Sequence, residues 1–328
     1  MHLDPYIFNN NNYRLLLIFA YAAVATWIAI PYVINKCKAH GYMVKDMHKF
    51  KKPLIPVLGG VAIFIGIISA LALSEIYIPT GNIANLFIFY FVVNLYGMYG
   101  LLDDIFHFQI RYTKILALLV FSIPITSLGV LSTINIGFTT LDLGIAYGLF
   151  AVVYIMVVSN LINIHSSFNG LSPGLALILL ITTGIKSYMV HGTTYLIYLM
   201  PILGSLAVFF MYNKYPSKIF EGNIGSFIYG SALGAFLIVN KLELFGVIIL
   251  IPHIICFLQD FWVLVIKRVP DKQFPEPRKD GYFIPDKSMR YKSLKNLLCT
   301  IFKLKERDAT NILFVITAVF CVIGVLLV

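Results

Sequence analysis

The sequence predicts an all-α protein that crosses a membrane about ten times. Three observations support this fold class: 59% of the 328 residues are hydrophobic, only 12% are charged, and the mean hydropathy is +0.86. Soluble domains carry about 25% charged residues, so this chain lacks the polar side chains that a water-exposed surface requires. Because backbone N–H and C=O groups must be paired inside a bilayer, the spans are expected to be helices.

Ten apolar runs are long enough to cross a bilayer. They cover residues 13–34, 56–73, 83–102, 113–131, 142–159, 171–185, 193–211, 224–240, 243–266 and 310–328. No soluble domain is inserted between them, so residues 1–328 are expected to form a single transmembrane domain.

The basic residues favour one set of connections between these runs. All but three of the 25 Lys and Arg residues lie in or beside the connections 35–55, 103–112, 160–170, 212–223 and 267–309. By the positive-inside rule these connections face the cytoplasm, and an even number of spans then puts both termini outside. The net charge of +10 is therefore attributed to basic loops beside anionic headgroups, and no nucleic acid partner is expected.

The long connection 267–309 contains a helical pattern in its second half. Leu294, Leu298 and Ile301 recur at spacings of four and three residues, with lysines on the flanks. This pattern predicts an amphipathic helix near 291–305. The helix either lies in the membrane interface or packs beneath the bundle as a short soluble helix.

Two adjacent carboxylates, Asp103 and Asp104, follow the apolar run 83–102. At the C-terminal end of a helix the macrodipole disfavours negative charge by about 0.3–1 kcal/mol per group. A cation should compensate, and a bound divalent metal is one candidate. The alternative is a solvated helix end beside two basic residues, Arg111 and Lys114.

A pair of asparagines marks the next cytoplasmic connection. Asn160 and Asn163 are three residues apart at a helix end and would project from one face. Their amide oxygens could ligate a metal, or the residues could simply cap the helix.

Two glycine-containing segments also have two interpretations each. Gly222 and Asn223 precede an apolar run, where free N–H groups attract anions, unless Asn223 is an ordinary N-cap. Gly59 and Gly60 open another run, where they allow either close approach of a phosphate or tight helix packing.

Together these clusters place carboxylates, amides and lysines at one membrane surface. The sequence shows no nucleophile triad, no Cys/His zinc pattern and no Walker lysine loop. Such a set suits phosphate chemistry at the lipid–water boundary, where a nucleotide and a lipid phosphate meet and their repulsion must be neutralised.

At these positions the sequence resembles the polyprenyl-phosphate N-acetylhexosamine-1-phosphate transferases. The matching motifs are Lys45-Asp46-x-x-Lys49, Pro56-x-x-Gly59-Gly60, Asp103-Asp104, Asn160-x-x-Asn163, Asn169-Gly170, Pro216-Ser217-Lys218-x-Phe220-x-Gly222-Asn223 and Arg278. Asn169-Gly170 is similar to the eukaryotic and archaeal GlcNAc-phosphate branch. The bacterial branch that transfers phospho-MurNAc-pentapeptide has an aspartate at that position.

The resemblance implies a ten-helix enzyme with its active site at the cytoplasmic rim. It would transfer GlcNAc-1-phosphate, or a related HexNAc-1-phosphate, from the UDP-sugar to dolichyl or another polyprenyl phosphate. UMP would be released with Mg²⁺, or Mn²⁺, as cofactor, in the first step of lipid-linked oligosaccharide synthesis. The membrane would be an archaeal plasma membrane, or the ER membrane in a eukaryote, and a homodimer is left open.

The resemblance also implies residue roles. Asp103 would orient or deprotonate the attacking lipid phosphate, and Asp104 would support the metal and phosphate site. Asn163 would ligate Mg²⁺, and Asn169 would contact the nucleotide sugar. Lys114 would join the two aspartates as a catalytic residue that holds a phosphate. The remaining substrate-binding positions are Lys49, Arg111, Arg278, Asn160, Gly59 and Gly60, with Arg111 or Lys114 matching the basic position after the acid pair.

One position departs from the family pattern. Asn223 stands where the family usually has a metal-binding aspartate, and an amide offers an oxygen without a charge. Asn223 is expected to remain a ligand, with Glu221 adding the missing charge. The alternatives are a catalytically impaired paralogue and a transporter of an anionic metabolite, although transporters usually place their site near the midplane.

Overall fold

The structure is a computed structural model, and it is a helical bundle. It describes residues 11–77, 83–108, 111–128, 133–135, 137, 139–266, 277–283 and 293–328. Its α-helices are α1 (Asn11–His40), α2 (Gly60–Tyr77), α3 (Ile83–Phe106), α4 (Arg111–Ser122), α5 (Ala146–Ile164), α6 (Leu171–His191), α7 (Met200–Asn213), α8 (Gly222–Val239), α9 (Glu243–Ile249), α10 (Ile251–Phe261), α11 (Leu294–Phe302) and α12 (Glu306–Leu327).

Short strands and tighter turns fill some of the connections. The strand β1 (Met43–Lys45) pairs antiparallel with β2 (Leu54–Pro56), and β3 (Thr133–Asn135) pairs antiparallel with β4 (Thr140–Asp142). A 3₁₀ segment, Ile123–Leu128, continues α4. These hairpins were not predicted, because three-residue strands are too short to show a periodicity.

The all-α membrane fold is confirmed, whereas the number of spans stays a prediction. Seven helical segments of the described chain are long and apolar enough to cross a membrane: α1, α3, α5, α6, Leu196–Asn213, α8 and α12. An eighth span is formed if α9 and α10, which meet at a bend of 64°, count as one. Two more expected spans are shorter apolar helices, Gly60–Ala72 and Thr113–Leu128.

Helix α8 is the centre of the bundle. Every residue from Ile224 to Ile238 is buried, and α3, α5 and α2 pack around this helix. Glycines allow the close approach: a Cβ on Gly60 would lie 2.3 Å from the backbone nitrogen of Gly225, and one on Gly100 would lie 2.6 Å from the carbonyl of Asn223. Because larger side chains cannot fit there, the N-terminal end of α8 is held tightly between α2 and α3.

Two predicted connections begin later than expected. Asp103 and Asp104 lie in the last turn of α3, and Asn160 and Asn163 lie within the last turns of α5. Both pairs lie at a helix end, as expected, and the helices continue a few residues beyond the apolar runs, to Phe106 and Ile164. A helix continues past the apolar run wherever its polar side chains find partners.

The predicted amphipathic helix is α11, with residues 291 and 292 outside the described part. Ser293 caps its N-terminus by accepting a hydrogen bond from the backbone of Asn296. Leu298 is buried in a small cluster with residues of α12, whereas Ile301 and Phe302 are exposed. The helix therefore packs against α12 through one face, and its position relative to the membrane interface stays a prediction.

Candidate active site

A cavity of about 300 Å³ opens at the end of the bundle where the basic connections lie. Its walls come from the first connection, the end of α5, the end of α3 and the start of α8. The lining residues are Lys45, Asp46, Met47, His48, Val57, Asp104, Asn163, Ser166, Ser167, Phe168, Phe220, Glu221, Gly222, Asn223 and Ser226.

Asp104 closes the N-terminus of α8. Its Oδ1 accepts a hydrogen bond from the backbone N–H of Asn223 at 2.9 Å, and its Oδ2 accepts one from the N–H of Ile224 at 3.1 Å. The N-cap residue of α8 is Glu221, which makes no side-chain cap hydrogen bond, so Asn223 is not the N-cap considered from the sequence. The positive end of the α8 dipole thus stabilises a carboxylate that the α3 dipole disfavours.

Asp103 begins a chain of polar contacts that ends at Asn163. Its Oδ2 accepts hydrogen bonds from Nδ2 of Asn223 at 3.0 Å and from Nζ of Lys114 at 3.4 Å. The Oδ1 of Asn223 in turn accepts one from Nδ2 of Asn163 at 3.1 Å. Neither Asp103 nor Lys114 lines the cavity, and Asn223 connects Asp103 to the cavity wall.

Glu221 adds a second carboxylate to the cavity wall. Its Oε2 accepts a hydrogen bond from Nδ2 of Asn213 at 3.2 Å. Burial raises the pKa of Glu221 to about 7, and the charge of Asp104 adds to that rise. A cation in the cavity would favour the ionised form of both groups.

The side-chain oxygen atoms on this wall are suitable ligands for a hard divalent cation. Asp104, Glu221, Asn163 and Asn223 offer only oxygen ligands, which Mg²⁺ and related ions prefer. No group of three or more His, Cys, Asp or Glu side chains positioned to hold a metal occurs within the described residues. The amide oxygens would therefore have to complete the ligand set.

Lys49 is already paired with carboxylates. Its Nζ contacts an oxygen of Glu306 and lies 3.5 Å from Oδ2 of Asp46. The same ammonium group lies 4.1 Å from the centroid of the Tyr215 ring. It does not line the cavity, and direct binding of a substrate phosphate by Lys49 stays a prediction.

Asn169 is buried and fully bonded. Its Nδ2 donates to Oδ2 of Asp46 at 3.1 Å, and its Oδ1 accepts from the N–H of Ser217 at 2.8 Å. These bonds join the connections 35–55, 160–170 and 212–223 beside the cavity. A contact of Asn169 with the nucleotide sugar also stays a prediction.

The other proposed substrate-binding residues lie outside the cavity wall. Asn160 donates to the carbonyl of Met156 in its own helix at 2.9 Å. Gly59 and Gly60 face backbone atoms of residues 220–225, which bears out the tight-packing interpretation. Arg278 is exposed in the segment 277–283, and the side chain of Arg111 lies outside the described part of the structure.

Several residues that line the cavity were not among the candidates identified from the sequence. Asp46, His48, Phe168 and Phe220 line the wall, and the rings of Phe168 and Phe283 pack edge-on against His48. Asp46 and Phe220 belong to two of the motifs described above. Membership of these motifs was the only sequence signal that could have identified them as cavity residues. The position of Phe168 depends on contacts with α11 and α12.

Comparisons with known proteins identify relatives of this chain. A family profile described as glycosyl transferase family 4 matches residues 86–241. A Saccharolobus solfataricus protein, provisionally named a UDP-N-acetylglucosamine–dolichyl-phosphate N-acetylglucosaminephosphotransferase, is 29% identical over 95% of this chain and 96% of its own. A Clostridium botulinum phospho-N-acetylmuramoyl-pentapeptide-transferase is 30% identical over 72% of this chain and 75% of its own. A Methanocaldococcus jannaschii protein provisionally named a glycosyltransferase is 27% identical over 99% of both chains.

Proposed function

This chain belongs to the family of polyprenyl-phosphate N-acetylhexosamine-1-phosphate transferases, and from this premise we propose that it transfers GlcNAc-1-phosphate from UDP-GlcNAc to a dolichyl or other polyprenyl phosphate. An oxygen of the lipid phosphate forms a bond to the β-phosphorus. The bond from that phosphorus to the bridging oxygen breaks, and UMP leaves with the oxygen. The observation that carries the proposal is the meeting of Asp104, Asn163, Asn223 and Glu221 at one cavity at the basic end of the bundle.

The protein's own residues bring two anionic substrates together. Lys114 lies beside Asp103 and supplies positive charge next to the cavity, and Asp103 orients this ammonium group and the amide of Asn223. Asp104 holds the start of α8 in place by accepting from two backbone N–H groups, so the amides of Asn163 and Asn223 are held in a fixed geometry at the cavity. A bound Mg²⁺ would neutralise charge between the pyrophosphate and the carboxylates.

We propose that Glu221 replaces the charge that Asn223 lacks. Both side chains line the cavity on either side of Gly222, and a Cβ on Gly222 would lie 2.4 Å from Oδ2 of Asp104. The charge of Asp104 raises the pKa of Glu221, so the two carboxyl groups are close enough to interact. Two carboxylates with amide oxygens form a reasonable site for one divalent ion.

Titration of Mg²⁺ against activity tests this arrangement. Asn223→Asp should lower the Mg²⁺ concentration for half-maximal activity, and Glu221→Gln should raise it, each by about tenfold, because one ligand charge is gained or lost. Glu243→Gln, at the other end of α8, is the control and should leave the requirement unchanged. An unaltered metal requirement in both cavity variants would discard the idea.

The transfer itself is tested with radiolabelled UDP-GlcNAc and polyprenyl phosphate. We expect a lipid-linked product and released UMP, with UDP-GlcNAc preferred over other UDP-sugars tested in parallel. Uptake of label into vesicles without a lipid product would instead favour transport. We also propose ten spans with both termini outside and an archaeal plasma membrane as the location, and cysteine-accessibility labelling of each connection tests the topology.

A further inference from the structure

Glu306 is a buried carboxylate that the proposed reaction does not use directly. It is the first residue of α12 and is 4% exposed. Its Oε1 accepts a hydrogen bond from the backbone N–H of Asn169 at 2.7 Å, and its Oε2 binds the ammonium group of Lys49. Both bonds join segments more than 100 positions away in the chain.

The two residues that Glu306 contacts are bonded to further residues near the cavity. Lys49 and Asn169 both reach Oδ2 of Asp46, at 3.5 Å and 3.1 Å. Asn169 also accepts from the N–H of Ser217 in the fourth connection. The first and third connections therefore contact the carboxylate of Glu306 directly, and the fourth is joined to it through Asn169.

The segments that Glu306 holds also line the cavity. Asp46 and His48 belong to the first connection, and Ser167 and Phe168 directly precede Asn169. Opposite them lie Asp104 and the start of α8, which are held by separate contacts. Displacement of Lys49 or Asn169 would move this wall of the cavity, whereas the bonds of Asp104 to the start of α8 involve neither residue.

A buried ion pair of this kind is a poor source of stability. The cost of removing two charges from water largely cancels their attraction, and apolar replacements are often as stable. The pair does restrict geometry, because each charge must stay beside the other. We therefore attribute the ionised pair to a role in positioning the loops, and not to a role in stabilising the bundle.

We propose that Glu306 is a positioning residue for the nucleotide-sugar side of the cavity, and this rests on the proposed function. It fixes Lys49 and the backbone of Asn169, and these two residues fix the segments 45–48 and 166–168. Lys49 in this arrangement is a tether between loops, neutralised by two carboxylates. It does not act as an independent phosphate ligand.

Steady-state kinetics of Glu306→Gln test the proposal. Glutamine keeps an acceptor for the Asn169 N–H but loses the charge that holds Lys49. The KM for UDP-GlcNAc should rise about tenfold, with kcat within threefold and the KM for polyprenyl phosphate unchanged. Asp308→Asn is the matched control, since Asp308 is an exposed carboxylate in the same helical turn, and it should behave as wild type. An unchanged KM, or equal losses in kcat and both KM values, overturns the proposal.

A double-mutant cycle separates a tether from a phosphate ligand. If Lys49 acts only through Glu306 and Asp46, then Lys49→Met combined with Glu306→Gln should be no worse than the more impaired single variant. If the two effects multiply, Lys49 binds the phosphate independently and the proposal is wrong. Should Glu306→Gln not fold, Glu306→Asp takes its place. It keeps the charge but draws it back by one methylene group, and an unchanged KM for this variant also overturns the proposal.

Hydrogen exchange distinguishes failure of this inference from failure of the proposed function. If wild-type protein makes no lipid-linked product, the proposed function is wrong, whatever Glu306 does. Glu306→Gln should still raise the amide exchange rates in the segments 45–49 and 166–169, without a change at 222–226, while Asp308→Asn changes neither. Unaltered exchange in both segments overturns the positioning role.

Discussion

The two ends of α8 carry similar groups in different surroundings. At the N-terminal end, the carboxylate of Asp104 binds two backbone N–H groups and lines an open cavity. At the C-terminal end, Asn240 is 1% exposed and is bonded to Phe236, Ser187 and His191. Each end thus satisfies the terminal groups of the same helix, but only the first presents them to a ligand-sized space.

The carboxylates at the two ends show the same contrast. Glu243 follows α8 and is 2% exposed, with Tyr147 donating to its Oε1 and Tyr154 donating to its backbone carbonyl at 2.9 Å. Lys241 lies 3.8 Å from the centroid of the Tyr147 ring. Neutral hydroxyl donors suit a closed packing contact. The carboxylate and amide side chains that line the cavity at the other end suit ligands that bind and dissociate. The open end is therefore where chemistry is expected.

The sharpest test of this comparison removes one charge at each end. Asp103→Asn should lower turnover about 10²–10⁴-fold, because the amide still accepts from Lys114 but carries no negative charge. Glu243→Gln should keep more than half of wild-type turnover. Both are measured as formation of lipid-linked product, with the melting temperature as a check of folding. Near wild-type turnover in Asp103→Asn would show that the carboxylate was assigned the wrong role.

A methyl group tests the packing at each end. Gly60→Ala should destabilise the protein by about 1–3 kcal/mol, because the new Cβ would lie 2.3 Å from the backbone of α8 and cannot be avoided by a rotamer change. Gly148→Ala, near the other end, places its Cβ 3.5 Å from a methyl group of Thr126 and should be tolerated. Thermal melting in detergent compares the two. Equal melting temperatures would mean that α2 and α8 are not tightly packed at the cavity.

The smallest expected effect concerns pH at the open end. Burial, together with the charges of Lys295 and Lys49, holds the pKa of His48 well below its ordinary value of 6.5. Below pH 6.5 the histidine of the unfolded chain binds a proton that the folded protein does not bind. The free energy of unfolding therefore falls as the pH drops. The loss amounts to about 1.4 kcal/mol for each pH unit below 6.5 until the folded protein itself binds the proton.

Melting curves of His48→Gln and wild type between pH 8 and 5.5 measure this contribution. The variant should lose less melting temperature over the range than the wild type, because the proton uptake of the unfolded chain at this position is removed. At pH 8 the histidine is neutral in both states and contributes no pH dependence. Parallel curves for the two proteins would show that His48 is free to ionise in the fold.

The candidate site was only partly predictable from the sequence, and Asp104 shows why. The acid pair indicated a missing cation, and the start at Gly222 indicated an anion-binding helix end. These are two halves of one contact between residues 119 positions apart. Sequence spacing carries no information on such a pairing, because it depends on how α3 and α8 pack through Gly100.

Asn160 and Asn163 make the same point within one helix. Both were candidates on the same face, but Asn160 bonds to its own backbone and Asn163 reaches Asn223. Nothing in the sequence distinguishes Glu306, because an acid at a helix start is adequately explained by the dipole. Only the position of Lys49 beside it gives that carboxylate a further role.

The sequence by itself determined the class of protein, the side of the membrane expected to hold the site, and the family. Composition is a property of the whole chain, and apolar runs and motifs are properties of neighbouring residues. All three can be read without knowledge of the fold. The tertiary structure decided which carboxylate faces the cavity, which glycines serve packing and which lysine is already paired. Those outcomes depend on contacts of a few ångströms between distant segments, which only the packing around α8 brings together.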